Sequence, residues 1–276
     1  MLILAKSILG LTLGFVLSII VGLLIIPVLK KLKAGQTVSN LINKRHQLKN
    51  GTPTLGGLIF IIPPITTMLI LYFKGSITLS TNIIIVMFVF IAYAILGFID
   101  DFLKIKYHNN KGLSTITKLI CQIFIAVVFY SIYKYNGGST SLEVTLLGIK
   151  WELGFVYGIF ILFVLVGTTN AVNITDGLDG LCGGLSVMAF LAYGVISWGS
   201  NWIPGYDTMA IFSFVLVGSL LGFLLFNTHP ARVFMGDTGS LALGGALACI
   251  AILTQHEFYL FSLGGVFGFE TLSFFI

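Results

Sequence analysis

Residues 151–198 read WELGFVYGIFILFVLVGTTNAVNITDGLDGLCGGLSVMAFLAYGVISW, two apolar runs around one polar segment at residues 170–180. A helix needs about 20 apolar residues to cross a bilayer, and each run approaches that length. The segment carries polar residues at three-residue spacing: Asn170, Asn173, Asp176 and Asp179. On a helix this spacing would place them along one face. An ionisable group at a bilayer centre costs about 2.5–3.5 kcal/mol, so we expect the row at the water boundary, facing a ligand.

The composition indicates a membrane protein. Of 276 residues 57% are hydrophobic and 9% charged, and the mean hydropathy is +1.04, whereas soluble domains carry about 25% charged residues. The apolar runs are long and continuous, which favours an all-α polytopic transmembrane bundle over a barrel. Three cysteines lie in or beside apolar runs without a CxxC motif, as expected of buried thiols.

Nine apolar runs predict nine membrane spans in a single integral membrane domain, residues 1–276. We place them near 3–29, 55–73, 82–99, 117–134, 153–169, 181–198, 208–226, 241–255 and 258–276. The first lacks a small-residue cleavage signature and is interpreted as a retained helix. The ninth run ends at Ile276 without a polar tail, which indicates a chain truncated at its C-terminus.

The basic residues predict the orientation of the chain. All but four of the 15 Lys and Arg residues fall on one side of this arrangement. By the positive-inside rule that side is cytoplasmic and the N-terminus lies outside. This rule accounts for the net charge of +5, so no nucleic-acid partner is expected. Every aspartate except Asp207 falls at a cytoplasmic helix end, which predicts a site assembled there from several helices.

Two segments contain carboxylates suited to a metal or a phosphate. GFIDDFLK, residues 97–104, carries the adjacent Asp100 and Asp101 followed by Lys104. Adjacent carboxylates favour a neutralising cation, although a simple Asp100–Lys104 pair at a helix end is the alternative. FNTHPARVFMGDTGS, residues 226–240, places Asp237 in a glycine-flanked turn. Mg²⁺ takes one or two carboxylates together with substrate phosphates, so Asp237 with Asp100 or Asp101 would suit it. Alternatively, Asp237 caps the next helix.

Three further features stay open on the residues alone. KNGTPTLGG, residues 49–57, offers backbone donors and the charge of Lys49, or it is a plain helix entry with Thr54 as the cap. His229 suits either a catalytic residue or a hydrogen-bonding residue at a helix end. Arg232 suits either a phosphate ligand or an anchor of the kind that the positive-inside rule predicts.

Four motifs in order, GTPTLGG, GFIDDFLK, NAVNITDGLDGL and FNTHPARVFMGDTGSLALGG, carry a resemblance to a known family. From about residue 20 to 270 the chain resembles the phospho-N-acetylmuramoyl-pentapeptide transferases of the polyprenyl-phosphate N-acetylhexosamine-1-phosphate transferase superfamily. The resemblance implies Mg²⁺-dependent transfer of phospho-MurNAc-pentapeptide from UDP-MurNAc-pentapeptide to undecaprenyl phosphate, giving lipid I and UMP. It also implies a bacterial plasma-membrane enzyme of peptidoglycan synthesis, with a cytoplasmic site, ten spans and a homodimeric state.

The resemblance also assigns roles to individual residues. Asp237 corresponds to the Mg²⁺ ligand, and Asp100 and Asp101 to the catalytic pair, with Asp100 deprotonating or positioning the lipid phosphate. The nucleoside segment corresponds to Asn173, Asp176, Gly177, Leu178 and Asp179. Phe234 would stack on uracil. The remaining substrate contacts would be Lys49, Thr54, Lys104, Asn170 and Ser240.

One departure and three alternatives accompany this resemblance. The family continues past the ninth span into a loop with three consecutive histidines, whereas the histidines here are isolated.

The alternatives are a sister enzyme transferring GlcNAc-1-phosphate, a cation-coupled transporter and a non-catalytic membrane partner. Transport sites lie near the midplane, whereas these acids gather at one face, which disfavours the transporter.

Overall fold

The computed structural model describes residues 2–32, 52–107, 112–144, 148–200, 203–260, 265 and 267–268. Within these residues eight helices form the fold: α1 Leu2–Lys31, α2 Leu58–Phe73, α3 Thr81–Lys106, α4 Thr115–Tyr135, α5 Val156–Thr175, α6 Leu181–Gly199, α7 Tyr206–Asn227 and α8 Gly236–Leu253. All except α2 are long and apolar enough to cross a membrane. The predicted all-α polytopic bundle is confirmed. The ninth run lies mostly outside the described residues, and the outward N-terminus remains a prediction.

Three helices differ from the predicted spans where the polar motifs lie. The helix α3 runs on to Lys106, α5 continues to Thr175 and α8 begins at Gly236, so each includes residues that we had placed beyond a span. The prediction ended each span where hydropathy fell. Their polar residues have partners inside the bundle, which allows each helix to continue.

A short hairpin between α4 and α5 is the one feature of the described residues that the all-α prediction omitted. Strands β1 Ser141–Val144 and β2 Ile149–Glu152 pair antiparallel, with Leu142 opposite Trp151. Apolar residues alternate with polar ones in both strands, and Gly148, which precedes β2, has a positive φ of 62°.

The centre of the bundle is α8, which is buried along almost its whole length and packs against α3 and α5. Small residues allow close approach: a Cβ at Gly244 would lie 2.5 Å from Cα of Thr169 on α5. The helix α1 packs on α7, where Ser18 Oγ donates to the carbonyl of Ser219 at 2.7 Å. Membrane helices associate through such close packing and interhelical hydrogen bonds.

The two ends of α8 carry different chemistry. Asp237 lies in its first turn, and Glu257 follows its last turn. Glu257 is 1% exposed and its Oε1 accepts a hydrogen bond from the hydroxyl of Tyr157, at the start of α5. The polar motifs of the sequence gather at the Asp237 end.

Candidate functional site

Three carboxylates from two helices meet at the start of α8. Asp100 and Asp101, on the last turns of α3, are 1% and 2% exposed. Together with Asp237 they offer oxygens that all lie within 4.8 Å of one another. Asp237 lies inside α8, so the prediction of a separate glycine-flanked turn is wrong. It also does not cap the helix, because the N-cap position belongs to Met235. The predicted convergence of the three aspartates is confirmed.

Two lysines neutralise part of the charge of this cluster. Lys104 Nζ lies 2.5 Å from Asp100 Oδ2 and 3.1 Å from Asp237 Oδ2. Lys118 Nζ, from the first turn of α4, lies 2.5 Å from the same Asp237 oxygen and 3.5 Å from Asp100 Oδ2. The Asp100–Lys104 pair therefore exists, but as part of a network of five charged groups. From the sequence, Lys118 is only one of the basic residues that predict the orientation of the chain. Its place at the start of the span after the paired aspartates was the available signal.

Asp101 holds the N-terminus of α8. Its Oδ2 accepts hydrogen bonds from the Thr238 amide at 2.9 Å and the Thr238 hydroxyl at 2.6 Å. Its Oδ1 accepts one from the Asp237 amide at 3.2 Å. A carboxylate at this point satisfies free N–H groups and complements the helix dipole. Asp101 therefore caps α8 from a different helix, while Asp100 and Asp237 face the lysines.

Close backbone approach fixes the other two carboxylates. Asp100 Oδ1 accepts a hydrogen bond from the Leu113 amide at 2.8 Å. A Cβ at Gly97 would lie 2.1 Å from the carbonyl oxygen of Asp237, so only glycine lets α3 approach α8 this closely. The G of the GFIDDFLK motif is thus explained by packing.

Of the two asparagines of α5, one reaches the cluster. Asn173 Nδ2 donates to Asp237 Oδ1 at 2.9 Å and to Ser240 Oγ at 2.8 Å. Asn170 does not reach the carboxylates, because its Nδ2 donates to Gln122 Oε1 on α4 at 2.8 Å. Asn173 and Ser240 are placed at the site as predicted, whereas Asn170 contacts a neighbouring helix.

The rest of the polar row leaves the helix. Because α5 ends at Thr175, the four residues do not share one helical face as predicted. Asp176 Oδ2 accepts from the Gly236 amide at 3.2 Å. Asp179 Oδ2 lies 3.0 Å from His229 Nδ1 and accepts from the Ala231 amide at 3.3 Å. Both carboxylates therefore hold the loop before α8.

Between those two aspartates, Gly177 and Leu178 face outward. Both are exposed, and 57% of the Leu178 surface is accessible. Leu178 is therefore an exposed apolar residue between the two carboxylates that hold the loop.

The GTPTLGG motif pairs with the same loop through its main chain. The amides of Gly56 and Gly57 donate to the carbonyls of Phe234 and Met235, each at 2.8 Å, and the Phe234 amide donates to Pro53 O at 2.8 Å. The amides of Gly56 and Gly57 are thus used internally, and a Cβ at Gly56 would lie 2.5 Å from the Phe234 carbonyl. This main-chain pairing places the half-buried residue Phe234 beside the motif.

The other predicted residues of this region have different outcomes. Thr54 is buried and does not cap α2, whose N-cap position is Gly57. Arg232 is exposed, with its guanidinium over the Phe226 ring at 5.6 Å. Lys49 lies outside the described residues.

The donor set fits a divalent cation. Hard cations such as Mg²⁺ prefer carboxylate oxygens, at about 2.0–2.1 Å, so ligand oxygens about 3–4 Å apart can share one ion. One oxygen from each of Asp100, Asp101 and Asp237 lies within 4.8 Å of the other two, which is close to this spacing. Since Asp101 is engaged by Thr238, Asp100 and Asp237 are the better placed pair.

Comparisons with known proteins identify the family of the chain. The model of glycosyl transferase family 4 matches residues 83–255. A phospho-N-acetylmuramoyl-pentapeptide-transferase of Bacillus subtilis (strain 168) is 47% identical over 260 residues, which cover 94% of this chain and 79% of that protein. One from Geobacillus sp. (strain WCH70) is 48% identical over 266 residues, covering 96% and 81%. The chain therefore belongs to glycosyl transferase family 4 and, within it, to the phospho-N-acetylmuramoyl-pentapeptide transferases.

Proposed function

We propose that this chain transfers phospho-MurNAc-pentapeptide from its UDP carrier to undecaprenyl phosphate, forming lipid I and releasing UMP. The convergence of three carboxylates and two lysines at one end of a membrane bundle carries the proposal, and the named relatives support it. Phosphoryl transfer depends on positioning and charge neutralisation more than on covalent chemistry by the protein. A cluster of this kind supplies both.

Asp237 and Asp100 would hold Mg²⁺. When bound, the ion would neutralise the diphosphate of the donor and stabilise charge on the leaving UMP. Asn173 fixes the Asp237 carboxylate from one side, while Lys104 and Lys118 approach it from the other. The two ammonium groups are then placed to contact phosphate oxygens, and Asp100 to orient or deprotonate the lipid phosphate.

The nucleoside would lie against the loop before α8. The exposed Gly177 and Leu178 and the ring of Phe234 form its side of the site, held in place by Asp176 and Asp179. The structure therefore favours an indirect role for the two aspartates in nucleoside binding. Asn170, directed at Gln122, is no longer proposed as a phosphate contact.

A membrane-embedded site suits a lipid acceptor, whose phosphate stays at the interface while its chain lies in hydrocarbon. By the positive-inside rule this end of the bundle is cytoplasmic, in a bacterial plasma membrane. A homodimer remains part of the proposal by family analogy.

Two alternatives predict different assays. A GlcNAc-1-phosphate transferase would use the same carboxylates with UDP-GlcNAc as donor. A transporter would need ionisable groups near the midplane, whereas the cluster lies on the last turns of α3 and the first turn of α8.

The test is UMP release by purified protein in detergent, with undecaprenyl phosphate, Mg²⁺ and either UDP-MurNAc-pentapeptide or UDP-GlcNAc. We expect release with the pentapeptide donor and its loss on chelation of Mg²⁺. Release with UDP-GlcNAc alone would assign the sister reaction. No release with either donor, from this chain or from one extended through the family's tenth span, would overturn the proposal.

A further inference from the structure

A pair of amide side chains joins α4 to α5 inside the helix bundle. Gln122, on α4, is 1% exposed. Its Oε1 accepts a hydrogen bond from Asn170 Nδ2 at 2.8 Å, and Asn170 Nδ2 also donates to the Val166 carbonyl one turn earlier in α5. Burying an amide in an apolar bundle is costly unless it is paired, so this pair fixes which residues of the two helices lie opposite each other.

The pair lies one helical turn from the aspartate cluster on both helices. Lys118 precedes Gln122 by four residues, and Asn173 follows Asn170 by three, so each shares a helical face with its amide. Lys118 Nζ and Asn173 Nδ2 hold the two oxygens of Asp237, at 2.5 Å and 2.9 Å. Lys104 of α3 is the third group that contacts this carboxylate, and the other two belong to the two helices that the amide pair links.

The helix α4 has few other polar contacts that could set its position. Much of it faces outward, and Gln122 and Tyr133 are the polar members of its buried face. Tyr133 lies at the opposite end, where its hydroxyl donates to Ser139 O. The main-chain carbonyl of Gln122 accepts a hydrogen bond from the Tyr93 hydroxyl of α3 at 3.4 Å, which adds a third helix to the junction.

We infer that Gln122 is a positioning residue for the transfer reaction: through Asn170 it sets α4 against α5 so that Lys118 and Asn173 reach Asp237 together. The inference rests on the proposed function. A purely structural role would be that of an ordinary interhelical hydrogen bond, whose loss lowers stability alone.

The test uses exchanged amides and a matched control. Gln122→Leu removes the amide, Gln122→Asn shortens it by one methylene, and Asn170→Gln lengthens its partner. The double variant Q122N/N170Q conserves the combined length. The control is Ser18→Ala, which removes the buried α1–α7 hydrogen bond far from the cluster.

We expect Gln122→Leu and Gln122→Asn to lower kcat about tenfold or more, because small displacements of positioned groups have effects up to about 100-fold. KM for the UDP donor should change less than about twofold, and the loss of Tm should resemble that of Ser18→Ala. The double variant should recover most of the kcat that the single variants lose relative to the parent chain. Ser18→Ala should keep the parental kcat.

A second readout does not depend on turnover. Thermal stabilisation by MgCl₂ alone reports how tightly the carboxylates bind the ion. Lys118 competes with Mg²⁺ for the carboxylate of Asp237. If Gln122 holds Lys118 in that position, then Gln122→Leu moves the ammonium group away, and the half-saturating Mg²⁺ concentration should fall about threefold or more. Ser18→Ala should leave it unchanged.

The inference is overturned if Gln122→Leu matches Ser18→Ala in the Mg²⁺ midpoint, or if an active parent chain gives equal kcat for the two variants. If neither this chain nor one extended through the family's tenth span is active, a shifted Mg²⁺ midpoint would contradict the proposed function alone and would leave standing the placement of Lys118 and Asn173 against Asp237 by Gln122.

Discussion

Lys118 Nζ and Asp237 Oδ2 lie 2.5 Å apart, although 119 positions separate the two residues in the chain. The contact joins the first turns of α4 and α8 and places a second cation beside Lys104. The cluster thus carries two positive and three negative side chains, and one unbalanced negative charge remains to favour a divalent ion.

Lys118→Met should lower kcat about 100-fold, as expected when a charged group that contacts phosphate oxygens is removed. Stability should change little, because Asp237 keeps its contacts with Lys104 and Asn173. UMP release and thermal unfolding in detergent measure the two effects. Lys134→Met, an exposed lysine in the last turn of α4, is the control. A fall in Tm with kcat intact would assign Lys118 a structural role.

Asp237→Asn and Asp101→Asn should separate chemistry from capping. The first should abolish turnover at saturating Mg²⁺ and leave Tm nearly unchanged, since the relief of repulsion among the carboxylates offsets the loss of the ion pairs with Lys104 and Lys118. The second should also lower stability, by about 1–2 kcal/mol, because Asp101 caps α8 through the Thr238 amide and hydroxyl. Activity of Asp237→Asn at saturating Mg²⁺ would refute the metal assignment. Equal Tm for Asp101→Asn and the parent would refute the capping role.

Gly97→Ala should push α8 away from α3. Its Cβ would meet the Asp237 carbonyl oxygen at 2.1 Å, and overpacking of this kind costs about 1–3 kcal/mol. Both Tm and kcat should fall. Gly167→Ala, on α5, meets no atom within 4 Å and should be neutral or stabilising. Parental behaviour of Gly97→Ala would show that the α3–α8 approach is not close.

Stability should depend on pH through Glu257. Burial raises the pKa of Glu257 from 4.5 to about 7, while the Tyr157 hydroxyl bound to its Oε1 opposes the rise. Its Oε2 has no hydrogen-bond partner among the described residues. The fold therefore prefers the protonated acid: its contribution is complete below about pH 4.5 and is lost as the pH rises through 7, by about 3 kcal/mol.

Unfolding of the Glu257→Gln variant, followed by Tm between pH 5 and 8, should lack this slope and exceed the parent chain in stability at pH 8. Glu152→Gln, at an exposed site, is the control and should retain the slope. A parental slope in Glu257→Gln would assign the pH dependence to another group.

The sequence predicted the apolar helices and the meeting of Asp100, Asp101 and Asp237, because hydropathy and adjacent carboxylates are local signals. It did not separate the roles of the three acids. That distinction depends on the direction of each side chain: Asp101 faces the start of α8 and Asp100 faces Lys104. Such directions follow from packing between helices distant in the chain.

The polar row of α5 shows the same limit. Three-residue spacing correctly predicted that Asn170 and Asn173 share a helical face, yet one contacts Gln122 and the other Asp237. The spacing also could not show that the helix would end at Thr175 and turn Asp176 toward Gly236. Nothing local in the chain distinguished these outcomes.

The order of charges along the chain has a consequence for biosynthesis. Asp100, Asp101, Lys104 and Lys118 are all translated before α5, and Asp237 arrives only with α8. A nascent chain inserted as far as α7 therefore carries two carboxylates and two ammonium groups of the cluster, a set with no net formal charge. Arrival of α8 brings the third carboxylate and turns the set negative. The emerging protein thus acquires its attraction for a divalent ion late in synthesis, once the helix that completes the site has been delivered.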